Sequence, residues 1–417
     1  MSAPASASMD LGLSPTARPL VDAVRAMVRD EIMPLDEAYE AELQASRRRF
    51  EPTPRMIDIL EGLKEKARKR GLWNFWATGS GHGHTLSTVD YAYLAEEMGW
   101  SHLAPEVFNC SAPDTGNMEV LEKFCTPEQR APWLPGLLDG KTRSAYLMTE
   151  PGVASSDATN ISLEARPDGD HFVLNGEKWW ASGAGDPRCI LYIVMTRTDP
   201  QAEKHRRHTQ FLAPANTPGI EVLRPMQVFG HDDAPHGHMH IRFTNARVPA
   251  ANIILGRGRG FEVAQGRLGP GRIHHCMRSI GQAERALQIL CRRAVSREAF
   301  GKPIAELGGN YDIIADARMD IEMARLLCLK AAWTMDHKGA REAAILISQI
   351  KVAAPRVALK ITDEAIQLHG AAGISQDFPL ARMYTSLRTM RLVDGPDAVH
   401  RRVVARHELK AYSNRVP

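Results

Sequence analysis

The sequence has no Cys-x-x-Cys pair. Its six cysteines, Cys110, Cys125, Cys189, Cys276, Cys291 and Cys328, are scattered, which argues against a zinc ribbon or a thioredoxin-type centre. Six in 417 residues is ordinary for a reducing compartment. A long apolar run is also missing. Stretches such as Cys189 to Met195 fall far short of the ~18 residues a membrane-crossing helix needs, so no membrane span is expected. Neither sign of charge dominates: 52 Lys+Arg against 49 Asp+Glu leave +3. So small an excess makes neither nucleic acid nor an anionic membrane a principal partner. Met1 to Ser14 have no basic start and no apolar core, and read as a mobile tail rather than a secretory signal. No fixed-period repeat is present.

What is present is a folding composition, 44% hydrophobic and 24% charged, with length for two or three domains. Residues 15–145 read as helical. Ser14-Pro15 form an N-cap and N1 pair before Val21, Val24, Met27 and Val28. An amphipathic run from Arg55 to Arg70 stops at Gly71, and Thr88 to Met98 form another. Residues 146–255 carry short β-type segments: His171 to Leu174 before a tight turn at Asn175-Gly176, Ile190 to Met195, Gln210 to Ala213, Ile220 to Leu223 and Met239 to Phe243. Residues 256–417 are helical again. Ile314, Ala317, Ile321, Ala324, Cys328 and Ala331 form one stripe, and Ile345 to Leu368 a second run with an expected kink at Pro355. The fold class is α+β: an N-terminal helical domain, a middle antiparallel β domain and a C-terminal helical bundle.

Two phrases offer chemistry. Tyr146-Leu147-Met148-Thr149-Glu150-Pro151-Gly152, followed by Ser155, presents backbone N–H groups and hydroxyls suited to a polar planar ligand, or an ordinary turn. Asn175-Gly176-Glu177-Lys178-Trp179-Trp180-Ala181-Ser182 sets paired indoles beside a hydroxyl, suited to walling a flat ring or to filling a sheet core.

Together these phrases resemble the acyl-CoA dehydrogenase family. Arg297-Glu298-Ala299-Phe300-Gly301 is similar to its Arg-x-x-Phe-Gly signature, and Gln367-Leu368-His369-Gly370-Ala371-Ala372-Gly373 to its Gln-x-x-Gly-Gly-x-Gly. His274-His275-Cys276-Met277-Arg278 and Leu392-Val393-Asp394-Gly395-Pro396-Asp397 resemble the subgroup of family members ten and eleven, in their dehydrogenase portion. The resemblance implies FAD between the β domain and the C-terminal helices. Met148 and Thr149 approach the flavin, Trp180 lies against the isoalloxazine, and Ser182 replaces the usual Thr that bonds it. Arg297 and Phe300 reach the FAD of a neighbouring subunit, Arg297 at the pyrophosphate. Gln367, Gly370 and Ala371 follow the adenosine half. Ser155 falls near the CoA, and Arg272 faces the acyl-CoA. Gly308 stands where the family often has a Gln, a contact that is lost or passes to Asn310, and Gly269 replaces an acidic residue.

The same register sets Asp394 where most members have a catalytic Glu. A base there removes the proton α to a thioester, and a β-hydride passes to flavin N5, giving a 2-enoyl-CoA. Bonds from a ribityl hydroxyl and a backbone N–H to the thioester carbonyl stabilise the enolate. Asp397 is the rival, better suited to the N-terminal dipole of the last helix. The implied partners are an acyl-CoA substrate, an electron-transfer flavoprotein, and a second or third and fourth copy of the chain as homodimer or homotetramer. The implied place is cytoplasmic, or mitochondrial or peroxisomal in a eukaryote. The subgroup also implies 4-hydroxyacyl-CoA substrates in 4-phosphoryloxy form, for which Arg272, His274, His275 and Arg278 are candidate contacts. Two other functions stay open: a flavin oxidase of the same fold acting on a small carbon acid such as a nitroalkane, and an acyl-CoA-binding scaffold without turnover.

Weaker signals have bland readings. Gly256-Arg257-Gly258-Arg259-Gly260 imitates a dinucleotide loop without a βαβ context. His231, His236, His238 and His240 imitate a metal cluster. The last three alternate on one strand face, and a polar face is favoured over a metal. Lys204 to His208 read as a solvated loop.

Overall fold

The structure is a computed structural model that describes residues 9–77 and 81–412, with 268–270 described by their backbone alone. The chain divides into two compact units. One is drawn from Met1–Asp30, Leu86–His102 and Arg272–Pro417, the other from Glu31–Thr85 and Leu103–Gly271.

The first unit is helical. Helix α1 (Arg18–Met27) begins three residues later than the Ser14-Pro15 pair suggests, with Pro19 in its first turn. Ser14 instead starts the preceding turn and donates its N–H and hydroxyl to Asp90 at 2.9 and 3.0 Å. Residues 9–14 of the expected tail are therefore described and in part tied down, while 1–8 lie outside the described residues. Helix α2 (Thr88–Met98) has the bounds its periodicity predicts. Ser87 and Asp90 close a reciprocal capping box at its start. Residues 272–296 of helix α3 (Gly260–Ser296) meet α2 backbone to backbone. A Cβ on Gly281 would stand 1.9 Å from the Glu96 carbonyl oxygen, and one on Gly99 2.2 Å from that of Arg278. Helix α4 (Asn310–His369) is two helices, broken at Gly339 (φ 80°, ψ 174°). The expected break at Pro355 is absent. Pro355 sits buried inside the second segment, and the chain turns where glycine makes a left-handed φ accessible. Helices α5 (Leu380–Met390) and α6 (Asp397–Lys410) follow. Ile273, Met277 and Ile280 of α3 pack with Ile321, Cys328, Ile350 and Ile361 of α4 in one core.

The second unit holds a seven-stranded sheet: β1 (Arg143–Leu147), β2 (Glu164–Asp168), β3 (His171–Ser182), β4 (Cys189–Arg197), β5 (His208–Pro214), β6 (Ile220–Pro225) and β7 (His238–Pro249). The order is β1-β4-β2-β3-β7-β6, with β5 on β4. Most pairings are antiparallel, but β1 runs parallel to β4, and β2 meets β4 in parallel at Glu164 and Arg197. Strand β1 is entered from the helical segment before it, so no hairpin imposes an antiparallel partner. Asn175-Gly176 is not the expected turn. The β2–β3 loop is Gly169-Asp170, with φ 61° at Gly169, and Asn175-Gly176 forms an irregularity within β3 between Leu174 and Gly176. There Asn175 Oδ1 accepts from Asn245 N at 2.8 Å across the sheet, so the dipeptide serves a bulge rather than a reversal. Before the sheet, helix Pro54–Lys69 starts at its Thr53 cap and stops at Gly71 (φ 70°), as its pattern predicts.

Candidate active site

In the first unit the chain leaves α5 and turns at Asp394-Gly395 before α6. Both residues are left-handed, at φ 53° and 104°. Aspartate tolerates this conformation better than most side chains. Gly395 must stay bare, because a Cβ would come within 2.8 Å of His400 Nε2. The Asp394 carbonyl accepts from Arg272 Nε at 3.1 Å and lies 3.2 Å from His400 Nε2. Its carboxylate has His275 Nε2 3.6 Å away. Arg278 Nη2 stands 3.0 Å from His275 Nδ1. A guanidinium only donates, so His275 Nδ1 accepts and a neutral imidazole carries its hydrogen on Nε2, facing Asp394. Burial holds Arg272 and Lys351 below their usual ranges and lowers His400 to about 4, which leaves it neutral at pH 7. Asp397 is engaged elsewhere: its Oδ2 accepts from Arg391 Nε and Nη2 at 2.9 and 2.7 Å, in the first turn of α6. The adjacent histidines part company, His274 being buried with its ring edge-on to Tyr91 at 4.2 Å.

Further along this unit, Glu298–Ala299 and Lys302–Pro303 form a small hairpin whose two loop residues, Phe300 and Gly301, both have positive φ. That is the type I′ geometry. It is unusual for phenylalanine, whose ring is 96% exposed. Arg297 at the base of the hairpin is exposed too, as are Gln367, Gly370 and Ala371 at the end of α4. The Asn310 amide donates to the Ile304 carbonyl at 2.6 Å and so serves its own loop.

In the second unit Met148 and Thr149 follow β1 directly. The Met148 carbonyl accepts from Lys178 Nζ at 2.9 Å and the Thr149 carbonyl from Trp179 N at 3.0 Å. Lys178 is fully buried and paired with Glu150 at 2.8 Å. Burial lowers its pKa to about 8, even against the pull of Glu150. Glu150 also accepts from Ser162 N and Oγ and from Leu163 N, so it anchors the turn rather than offering a free carboxylate. Ser155 Oγ accepts from Glu150 N at 2.9 Å. A second irregularity in β3, between Lys178 and Ala181, contains Trp180 at φ 53°. A left-handed tryptophan is a strained choice, and it leaves the indole 37% exposed. Ser182 pairs across the sheet with His238, and Ser182 Oγ lies 2.8 Å from His238 Nδ1.

The histidine cluster resolves into separate pairings. His236 lies between Asp186 (2.9 Å) and Glu106 (3.1 Å), and His240 beside Glu177 at 2.9 Å. Among the described residues, no group of three or more His, Cys, Asp or Glu could hold a metal ion. The Gly256–Gly260 stretch follows an antiparallel strand and a short 3-10 turn, not a βαβ unit. Lys204–Arg206 form an exposed 3-10 turn, but His208 is buried, its Nε2 3.0 Å from the Ile161 carbonyl.

The Lys178–Glu150 pair escaped sequence reasoning. A lysine in a strand of alternating burial was its signal. His238 stands out in the histidine run, but its partner Ser182 becomes visible only through the β3–β7 register. An exposed indole on a strained bulge, with the Ser182 and Thr149 hydroxyls in the same unit, suits the wall and polar edge of a planar ring. The exposed Arg297 guanidinium suits phosphate oxygens.

Family models describing the acyl-CoA dehydrogenase N-terminal, middle and C-terminal domains match residues 14–141, 145–245 and 258–409. Acyl-CoA dehydrogenase family member 10 of Mus musculus is 50% identical over 407 residues, 96% of this chain, which spans 38% of that relative's length. The Mycobacterium tuberculosis protein named probable acyl-CoA dehydrogenase FadE2 is 55% identical over 353 residues, covering 84% of this chain and 86% of its own length. A solved chain named for an acyl-CoA dehydrogenase from Mycobacterium abscessus superposes with a TM-score of 0.93 at 49% identity, over 96% of this chain and 100% of that one. No helix among the described residues is long and apolar enough to cross a membrane. The chain belongs to the acyl-CoA dehydrogenase family, and with it to the flavin-dependent oxidoreductases.

Proposed function

We propose that this chain dehydrogenates an acyl-CoA to a 2-enoyl-CoA, with Asp394 as the base for the α-proton. The observation that carries this reading is the Asp394 carboxylate on a left-handed turn, its carbonyl held by Arg272 and its carboxylate faced by His275. Such strain persists where the surroundings over-determine it and concentrates at functional positions. FAD, when bound, accepts the hydride from the β-carbon. Met148, Thr149, Trp180 and Ser182 face the flavin ring. Arg297, Phe300, Gln367, Gly370 and Ala371 serve the phosphate and adenosine end, the first two toward a neighbouring subunit of a homodimer or homotetramer. The exposure of Phe300 and Arg297 supports that outward role. Ser155 stands near the CoA, and an electron-transfer flavoprotein takes the electrons.

The substrate class is 4-hydroxyacyl-CoA carried as its 4-phosphoryloxy form. Among the described residues, Arg272, Arg278 and Lys351 gather around Asp394, and Asp397, which also faces Lys351, already pairs with Arg391. That surplus of positive charge suits a phosphate dianion more than a plain acyl chain. The test is anaerobic titration of the FAD-loaded protein with acyl-CoAs, including 4-hydroxy and 4-phosphoryloxy forms. Flavin bleaching by the 4-phosphoryloxy compound at the lowest concentration is expected. Bleaching by no acyl-CoA would reject the dehydrogenase reading.

A further inference from the structure

The histidine run that resembled a metal cluster contains a triad in another sense. Ser182 and His238 face each other across β3 and β7, with Oγ 2.8 Å from Nδ1. The other ring nitrogen, His238 Nε2, lies 3.5 Å from Asp233 Oδ2. Asp233 sits on the loop before β7 at a left-handed φ of 52° and is half exposed, whereas the His238 side chain is mostly covered. Burial lowers the His238 pKa, against the pull of Asp233 and with a push from His231 and His236. The ring is therefore neutral at pH 7 and has one N–H to place.

A carboxylate only accepts, so the hydrogen belongs on Nε2, toward Asp233. That leaves Nδ1 as an acceptor, and the Ser182 hydroxyl must donate to it. The hydroxyl hydrogen is then committed inward, and what Ser182 offers elsewhere is a lone pair. This matters because of the place Ser182 occupies in the proposed function, at the edge of the flavin ring; the inference rests on that reading. Flavin N5 is an acceptor when oxidised and carries a hydrogen when reduced. A neighbour that can only accept favours the reduced form.

We infer that His238, its tautomer set by Asp233, is a positioning residue that turns the Ser182 hydroxyl away from the cofactor and thereby raises the reduction potential of the bound flavin. The effect is one hydrogen bond gained in one redox state and denied in the other. A preference of this size changes the reduced-to-oxidised ratio about tenfold, or ~30 mV for a two-electron couple.

The test measures the midpoint potential of the FAD-loaded protein by anaerobic reduction against a dye of known potential, read from flavin absorbance. His238→Ala frees the hydroxyl to donate to oxidised flavin, and the potential falls by the amount above. His238→Asn keeps an acceptor oxygen near the Nδ1 position and holds the parental potential. Asp233→Ala, at a half-exposed site where folding is little at risk, removes the acceptor that fixes the hydrogen on Nε2. The hydrogen can then move to Nδ1, and the potential falls toward that of His238→Ala. In a Ser182→Ala background, His238→Ala causes no further shift. Parental potentials in both His238→Ala and Asp233→Ala, with a shifted potential or spectrum in Ser182→Ala, would overturn the inference while leaving Ser182 at the flavin. An unchanged spectrum and potential in Ser182→Ala would instead overturn the placement of Ser182 itself.

Discussion

Lys178 Nζ lies 2.8 Å from Glu150 Oε1 and 2.9 Å from the Met148 carbonyl, so one buried cation ties the carboxylate of the Thr-Glu-Pro turn to the backbone just before Thr149. The side chains of Lys178 and Glu150 are 0% and 3% exposed. Removing one partner strands the other charge without water. Lys178→Met is expected to cost about 3–5 kcal/mol and to weaken FAD retention by loosening Met148 and Thr149. Urea denaturation and the flavin-to-protein absorbance ratio check the two effects. A stable variant with full flavin would mean that the turn does not depend on this pair.

The contact between α2 and α3 makes a steric prediction. At Gly281 a methyl group would overlap the Glu96 carbonyl, which is backbone and cannot swing aside. Gly281→Ala should lose at least the ~1–3 kcal/mol typical of overpacking. Gly62, inside helix Pro54–Lys69, has nothing within 4 Å of an added Cβ. Gly62→Ala should gain about 0.5–1 kcal/mol from helix propensity. Thermal unfolding of the pair should show opposite shifts. A neutral Gly281→Ala would show that the two helices can separate at no cost.

His236 gives the fold a pH dependence of known sign. Burial alone would depress its pKa, but bonds to Asp186 and Glu106 raise it to about 9. The unfolded value is about 6.5. The native state therefore binds the extra proton between these values, and its stabilisation is complete below pH 6.5 and lost as pH rises through 9. His236→Gln cannot titrate. Denaturation midpoints from pH 6 to 9.5 should fall more steeply for the parent than for this variant, and the difference isolates His236 from other groups that titrate in that window. Parallel curves would rule the linkage out.

The parts of this fold legible in the sequence were those set by local rules. Helix α2 announced itself by apolar spacing, and helix Pro54–Lys69 by its Gly71 stop. The order of helices, strands and helices followed from periodicity alone. The errors came where two rules competed. Pro355 could break a helix, yet Gly339 did, because a left-handed φ ends a helix more cheaply than a lost N–H bends one. Asn175-Gly176 can reverse a chain or bulge a strand, and only the pairing with Asn245 decides. At the candidate site, Trp180 and Asp394 are singled out by the family resemblance and not by their local pattern, and their left-handed backbones are legible in neither. Their partners His238, Arg272 and His275 lie far away in sequence and are brought close by strand register and helix packing.

Asp394 is the residue on which the proposed chemistry turns, and two substitutions separate its roles. Asp394→Asn removes the base but keeps the side chain's size at a left-handed position that asparagine also tolerates. It should retain FAD and fold normally. Its rate of flavin bleaching by acyl-CoA should fall by about 10²–10⁴, the usual worth of a positioned base. Asp394→Glu keeps a carboxylate and moves it outward by one methylene, on a backbone held by Arg272 and His400. With the backbone fixed, the longer side chain overshoots the position suited to aspartate, and a displacement of that order can cost about 10²-fold. Rapid-mixing absorbance under anaerobic conditions measures both. If Asp394→Asn bleached at the parental rate, the base would have to be sought elsewhere, and Asp397, already bound to Arg391, would be a poor substitute.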